Sequence, residues 1–322
     1  MIGFDIGGTK CAVSCGSLEN GLVRISCRRE IPTDTQISPY EMIDRMCALA
    51  EEMTDDLSRI GISCGGPLDA KRGVILSPPN LPGWDRVEIV SYLEKKYNGY
   101  VRLENDANAC ALAEWRFGAG RGSRSMIFLT FGTGMGAGIV LNGKIYGGAN
   151  GNAGEVGHVR LCRFGPVGYG KEGSFEGFAS GAGIAMMAKN SAIAEIQQGR
   201  STLYCKSMNE LDRVTAKTVA EAARVGDRVA QRVYQQCGEM LGYGLSMLVD
   251  ILNPEKILLG SIYRRASDLL EEPMRRVLAE ECLPASLAAV TITAAALGEE
   301  LGDLAALSLA CNEKDFYVKE EN

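Results

Sequence analysis

Alternation of apolar and polar positions marks the first thirty residues as three short strands. Ile2, Phe4 and Ile6 alternate up to the Gly7-Gly8 pair, and strands at 11–14 and 23–26 follow glycine-containing turns. From Ser38 the period becomes helical. Ser38 is placed to cap a helix with Pro39 in its first turn and Glu41 closing a capping box. Met42, Ile43, Met46, Leu49, Ala50 and Met53 give that helix one apolar face. A strand at 60–63 runs into Gly65-Gly66-Pro67, and the prolines of 76–84 exclude regular structure. A helix near 87–97, a strand at 100–103 and a helix over 106–115 complete the first half.

The second half opens in the same way. Strands are predicted at 125–130, 138–141 and 144–146, with Asn142-Gly143 as a hairpin turn. Helices are predicted over about 177–198 and 216–252, the second interrupted at Gly226-Asp227. A strand at 256–259 ends at Gly260, helices fill most of 265–311, and the polar stretch 312–322 is expected to fray. Three strands, then helix, strand, helix, strand and helix, thus occur twice in outline, without any repeat in the sequence itself. Each copy opens on a hairpin carrying a Gly/Thr turn, an arrangement suited to holding a polyphosphate between two domains. The expected division is an N-terminal α/β domain over 1–117, joined by a C-terminal helix within 300–322, and a larger α/β domain over 118–299.

Composition narrows the function classes. A chain of 322 residues can bury the cores of two domains. Its net charge of −6 lacks the basic footprint that nucleic acid or an anionic membrane requires. No apolar run reaches the ~18 residues that cross a bilayer and no basic-then-apolar leader precedes Ile2, so the expected location is cytoplasmic. The eleven cysteines are odd in number, lie mostly in apolar runs and include no C-x-x-C, which reads as reduced core residues. The 39 glycines cluster at 118–183, where backbone turns tightly or approaches ligands.

Three stretches carry candidate chemistry. In Asp5-Ile6-Gly7-Gly8-Thr9-Lys10, backbone N–H groups at the glycines, with Thr9 and Lys10, can surround phosphate oxygens, and Asp5 can hold hydrated Mg²⁺. The stretch Gly132-Thr133-Gly134-Met135-Gly136-Ala137-Gly138 leads into a strand rather than a helix, so it is no dinucleotide fingerprint, and no Walker motif occurs. Asp106, at a strand end and a helix start, is either an N-cap or a general base for a hydroxyl attacking a γ-phosphate. Asn80, Asn105 and Asn108 offer hydrogen bonds to a polyol. Glu155, His158 and Glu176 lie in glycine-rich chain of the kind that lines pockets. His158, the only histidine, has just Cys162 as a nearby metal-ligating companion, so a structural zinc is not expected.

Taken together and in order, 5–10, 61–67, 77–84, 104–108, 130–138, 154–158 and 253–260 resemble the motifs of the ROK family of bacterial sugar kinases and repressors, within the sugar kinase/actin/Hsp70 fold. Leu301-Gly302-Asp303-Leu304-Ala305-Ala306 resembles the family's closing helix. The resemblance implies an actin-like ATPase (ribonuclease H-like) duplicated α/β fold, with two domains flanking a nucleotide cleft. It implies Asp106 as catalytic base, Gly8, Thr9, Lys10, Thr133 and Gly134 on ATP phosphates with Gly7 and Gly132 in the same turns, and Gly260 near the adenosine. Asn80, Asn105, Glu155, His158 and Glu176 are implied as sugar ligands. ATP and Mg²⁺ are the implied cofactors, the Asp5 contact to the metal being through water or direct, and a homodimer is expected.

The chain departs from the family pattern in three ways. The family's zinc loop carries cysteines in a C-x-C-G-x-x-G-C pattern, whereas 167–174 contains none. Ser261 replaces the second glycine of the nucleotide motif. No DNA-binding segment precedes the first phosphate motif, so a DNA-binding regulator is not favoured. The expected function is an ATP-dependent kinase of a hexose, glucose or an N-acetylated hexosamine. The alternative is a catalytically silent sugar sensor.

Overall fold

The computed structural model describes residues 1–312. All but the first residue of the stretch expected to fray lies outside the described residues. The strands are β1 (Ile2–Ile6), β2 (Lys10–Glu19), β3 (Leu22–Pro32), β4 (Arg59–Cys64), β5 (Leu68–Asp69), β6 (Val74–Ile75), β7 (Tyr100–Asn105), β8 (Met126–Leu129), β9 (Ala137–Leu141), β10 (Lys144–Ile145), β11 (Val167–Gly168), β12 (Lys171–Glu172), β13 (Lys256–Leu259) and β14 (Thr291–Ala294). The helices are α1 (Pro39–Met53), α2 (Ile89–Tyr97), α3 (Asp106–Phe117), α4 (Phe175–Phe178), α5 (Gly181–Gln197), α6 (Ala216–Arg224), α7 (Arg228–Leu252), α8 (Ser261–Glu281), α9 (Pro284–Ala289) and α10 (Leu301–Ala310). None of the described helices is long and apolar enough to cross a membrane.

The duplicated outline expected from the hydropathy pattern is present. One five-stranded sheet has the order β3-β2-β1-β4-β7 and the other β10-β9-β8-β13-β14, so each reads third, second, first, fourth, fifth in chain order. In the first, β1 to β3 pair antiparallel while β4 and β7 continue parallel to β1. In the second, β9 and β10 pair antiparallel, and β13 is parallel to both β8 and β14. The chain divides into two compact units. The first comprises Met1–Arg124, Gly138–Ala153 and the chain from Ala296 on, and the second Ser125–Ala137 and Gly154–Ala295.

Period-two patterning sorts the first sheet's faces. Ile2, Phe4 and Ile6 of β1, Cys11, Val13 and Cys15 of β2, and Ile60, Ile62 and Cys64 of β4 join one buried core with α1 and α2. The intervening Gly3 and Gly61 lie on the opposite face, against α10. A Cβ on Gly61 would lie 2.0 Å from the Ala306 carbonyl oxygen, and one on Gly3 would lie 2.9 Å from the Ala306 Cβ. The two glycines therefore let the helix backbone rest directly on the strands. The Asn142-Gly143 turn behaves as expected, with both residues in the left-handed region at φ of 50° and 75°.

Several local expectations change. Ser38 Oγ accepts from Glu41 N at 3.2 Å, but the Glu41 carboxylate accepts from Arg45 instead of closing the box. The helix expected over 177–198 is two helices, α4 and α5, each with its own serine cap, Ser174 and Ser180. The helices expected across 265–311 are interrupted by β14, whose β-branched Thr291, Ile292 and Thr293 pair with β13. By contrast, α6 and α7 break at Gly226-Asp227 as anticipated, and Asp227 caps α7. Eight of the eleven cysteines are buried.

The α10 contact gives the first prediction. Gly61→Ala should lower stability by about 3 kcal/mol, the upper end for overpacking, because the clash is with helix backbone rather than a movable side chain. Gly3→Ala should cost less. Urea unfolding midpoints measure both, and an unchanged midpoint for Gly61→Ala would mean that α10 does not rest on β4.

Candidate active site

In the first unit the site is built at strand ends. Asp5 is the penultimate residue of β1, and Gly7-Gly8-Thr9 turns the chain into β2. Gly7 N donates to the Lys10 carbonyl at 3.1 Å, and Thr33 Oγ1 donates to the Gly7 carbonyl at 2.6 Å. A Cβ on Gly8 would lie 2.5 Å from the Asn80 carbonyl oxygen, so glycine there lets the proline-rich loop and its Asn80 approach the turn. The Lys10 ammonium turns away along the sheet and pairs with Glu30.

Asp5 shares its face of the sheet with polar groups that the strand pattern hides. Burial, then the charges of Asp106 and Asp303, push its carboxyl up to about 6, against a hydrogen bond with Ser63 and the charge of Arg28. Asp303, in the first turn of α10, is buried and accepts from Ser14 Oγ and from Arg28 Nε at 2.7 Å. The sequence pattern does not mark Asp303, Ser63 or Arg28 as site residues. The sequence carries one signal for Asp303, which is the sole charged residue in 301–310.

The N-cap reading of Asp106 is corrected. Asn105 caps α3, its Oδ1 accepting from Ala107 N at 3.0 Å and Asn108 N at 3.3 Å. Asp106 is the first helical residue and accepts from Ala107 N at 2.8 Å. Although solvent reaches the residue, enclosure by the surrounding chain raises its carboxyl above the ordinary range, and hydrogen bonds from its own helix N-terminus partly offset this. With its oxygen used in the cap, Asn105 keeps only its Nδ2 donors for a ligand. Glu104 Oε1 accepts from Asn105 N at 3.0 Å and Asn108 Nδ2 at 3.1 Å, which fixes this strand end from behind.

In the second unit, Gly132, Thr133 and Gly134 form the tip after β8. Gly132 N donates to the Gly134 carbonyl at 3.0 Å, and the Gly132 and Thr133 carbonyls accept from Gly181 N and Ala182 N at the start of α5. Two of that helix's orphan donors are thus spent on the turn, and Ser180 takes the third at Gly183 N. A Cβ on Gly132 would meet open space. Glu176, in α4, accepts at Oε2 from Met135 N at 2.9 Å, and a Cβ on Gly134 would lie 2.7 Å from the same oxygen. Gly154 N-terminal to Glu155 meets Ala137, whose N–H donates to the Gly154 carbonyl at 2.8 Å. Gly157 lies so close to Met135 that a Cβ would sit 2.2 Å from its carbonyl oxygen. The glycines therefore draw Glu155, His158, Glu176 and the Gly/Thr turn into one constellation.

His158 ends a short 3₁₀ turn, and its carbonyl accepts from Lys171 Nζ at 2.8 Å. Its ring meets Tyr169 edge-on, with centroids 6.3 Å apart. Gly260 precedes α8 and donates to the Leu129 carbonyl at 2.9 Å, and Ser261 takes a left-handed φ of 33°. Among the described residues no three His, Cys, Asp or Glu groups converge to hold a metal ion directly. The sequence-predicted residues thus form two constellations, Asp5 to Lys10 with Asn80, Asn105 and Asp106 in the first unit, and 132–134 with Glu155, His158, Glu176 and Gly260 in the second.

The Asp5 environment has a measurable cost. An acid whose pKa rises from 3.8 unfolded to about 6 folded binds its proton more tightly in the folded chain. Stability therefore declines as pH rises across that interval and the penalty is complete above it. Asp5→Asn should stabilise the ligand-free protein at pH 7.5 by up to about 3 kcal/mol, with the difference vanishing below about pH 4. Denaturant melts of both proteins at the two pH values test this, and equal stability at pH 7.5 would refute it.

Similarity to known proteins agrees with this architecture. A family model described as the ROK family matches residues 1–313. The chain is 31% identical to a glucokinase of Thermotoga maritima over 312 residues, 96% of each protein. It is 30% identical to an N-acetylmannosamine kinase of Salmonella typhi over 310 residues, covering 96% of this chain and 97% of the relative. A ROK family glucokinase from Streptomyces griseus, solved in complex with glucose and AMPPNP, aligns at a TM-score of 0.75 and 32% identity, covering 95% of this chain and 97% of that one. These relatives support a sugar kinase on the actin-like ATPase fold, with ATP and a divalent metal as the partners such kinases imply. The match over essentially the whole chain, joined to the duplicated sheet order, makes this protein a member of the ROK family.

Proposed function

We propose that this chain is an ATP-dependent sugar kinase that transfers the γ-phosphoryl group to a hexose hydroxyl, with Asp106 as general base. The observation that carries the reading is the state of Asp106. It starts a helix that Asn105 already caps, and its carboxyl is held above the ordinary carboxylate range, which favours proton uptake. The hydroxyl oxygen attacks the γ-phosphorus, its proton passes to Asp106, and the bond from phosphorus to the β-phosphate bridging oxygen breaks.

The remaining candidate residues take binding roles. Gly7, Gly8 and Thr9 in the first unit and Gly132, Thr133 and Gly134 in the second offer turn backbone and hydroxyls to phosphate oxygens, and Gly260 lies toward the adenosine. Lys10 reaches a phosphate only by leaving Glu30. Magnesium, when bound, neutralises charge on the transferring group, and Asp5 fits it because a cation relieves the repulsion from Asp106 and Asp303. Asn80, Asn105, Glu155, His158 and Glu176 orient the sugar. Glucose is slightly ahead of an N-acetylated hexosamine as substrate, and relatives of both kinds support the pair.

The loop over 159–173 works without zinc in this reading. Arg160 Nη1 donates to the Glu172 carbonyl at 2.7 Å and Lys171 Nζ to that of His158, tying the loop through its own side chains. Activity removed by EDTA should return in full with Mg²⁺ alone, and a requirement for added zinc would overturn this point.

Asp106→Asn should lower turnover by about 10²–10⁴-fold while sugar affinity stays within a few-fold. Because the base acts deprotonated, wild-type kcat/KM should fall as pH drops through the raised Asp106 pKa, above the usual ~4 of an aspartate. ADP release measured with Mg-ATP and a panel of hexoses and N-acetylhexosamines tests both. Sugar binding by calorimetry with no turnover on any sugar would favour the silent sensor.

A further inference from the structure

The first unit holds a cavity of about 1250 Å³ whose walls lie behind the strand end that carries Asp106. Lys71, Arg102, Arg116, Arg121 and Lys144 line it, against the two carboxylates of Asp69 and Glu104. In a chain of net charge −6 that local excess of cations selects an anion. Gly147, Gly148 and Gly151 form part of the lining, so backbone there can approach a ligand without side chains in the way.

The other walls favour a sugar. Trp115, its indole fixed by donation from Nε1 to the Ser123 carbonyl at 2.7 Å, and Tyr146 supply ring surface for the C–H face of a pyranose. Asn108 and Glu104, 3% and 8% exposed, stand among the lining residues as polar partners for hydroxyls. Among the described residues, Asn108 Oδ1 has no hydrogen-bond partner. A buried acceptor in that state is destabilising, and a hydroxyl or a bridging water that reaches it relieves the cost.

We infer that this cavity is a second ligand site, one that takes a phosphorylated sugar and adjusts the catalytic strand end through Glu104. The route is short. Glu104 Oε1 accepts from both Asn108 Nδ2 and Asn105 N, and Asn105 caps α3 immediately before Asp106. A ligand that draws on Glu104 or Asn108 therefore loads the cap that positions the base. A phosphorylated hexose is also the class of molecule that the proposed reaction makes, so the site would read product. The regulatory half rests on the kinase reading, whereas the binding half does not.

Calorimetry with glucose 6-phosphate as probe, beside glucose and inorganic phosphate, tests the site on three proteins: wild type, Lys71→Glu/Lys144→Glu and Glu155→Ala. Glucose 6-phosphate should bind wild type and Glu155→Ala alike, at least about tenfold more weakly to the charge-reversed double variant, whose two exposed lysines can be changed without touching the core. No binding up to about 10 mM, binding retained by the double variant, or binding lost in Glu155→Ala overturns the site. Inorganic phosphate binding as tightly as the sugar phosphate overturns the sugar assignment. In steady-state assays, glucose 6-phosphate should change wild-type turnover without competing with sugar, and should leave the double variant, of unchanged basal rate, unaffected. Binding without that effect sinks the link through Glu104. Binding in a protein that phosphorylates no sugar sinks the kinase reading and leaves the site standing.

Discussion

The structure of the first unit turns on a carboxylate that its surroundings do not fully accommodate. Asp5 lies on the face of the sheet that α10 covers, where burial and the charges of Asp106 and Asp303 oppose its ionisation. It cannot move away, because β1 is paired on both edges, to β2 and β4. Nor can the helix stand off, because Gly3 and Gly61 bring its backbone down onto the strands. Ser63 and Arg28 offset only part of the cost. Such an arrangement is disfavoured while Asp5 is charged and relaxes when it takes up a proton, a cost of the kind that functional sites commonly carry.

The second unit meets a different demand with different means. Its polar groups sit in turns and short helices outside the sheet, where no strand ladder fixes them. Glycine takes over that role by allowing contacts that any side chain would block, as at Gly134 beside Glu176 and Gly157 beside Met135. The donation from Met135 N to Glu176 then ties the Gly/Thr turn to α4, so the two cannot shift independently. Lys171 and Arg160 secure the outer loop by donating to carbonyls within it.

Charge is distributed with the same economy. The chain is acidic overall, yet cations collect around the cavity behind α3, and Glu104 there is held by hydrogen bonds from Asn105 and Asn108 as well as facing Arg102 at 3.9 Å. One carboxylate thus belongs to the cavity wall and to the support of the strand end at once.

Features that depend on neighbours close in the chain are legible from residue order alone. Alternation at Ile2, Phe4 and Ile6, the turn at Asn142-Gly143, the break at Gly226-Asp227 and the doubled order of elements all follow from local backbone preference and side-chain period. The motif order likewise pointed to the family, because glycine-flanked polar residues are unusual at those spacings. Other features rest on contacts between residues far apart in the chain and emerge only on folding. Asp303 approaches Asp5 because α10 docks across β1 and β4, and Asn105 rather than Asp106 became the cap because strand register set where α3 begins. β14 forms although a short run of β-branched residues among helices is ambiguous alone, since β13 supplies an edge to pair with. Periodicity shows which face a residue takes; the partner waiting on that face is set by packing, and that partner decides whether a carboxylate is a cap, an ion pair or a base.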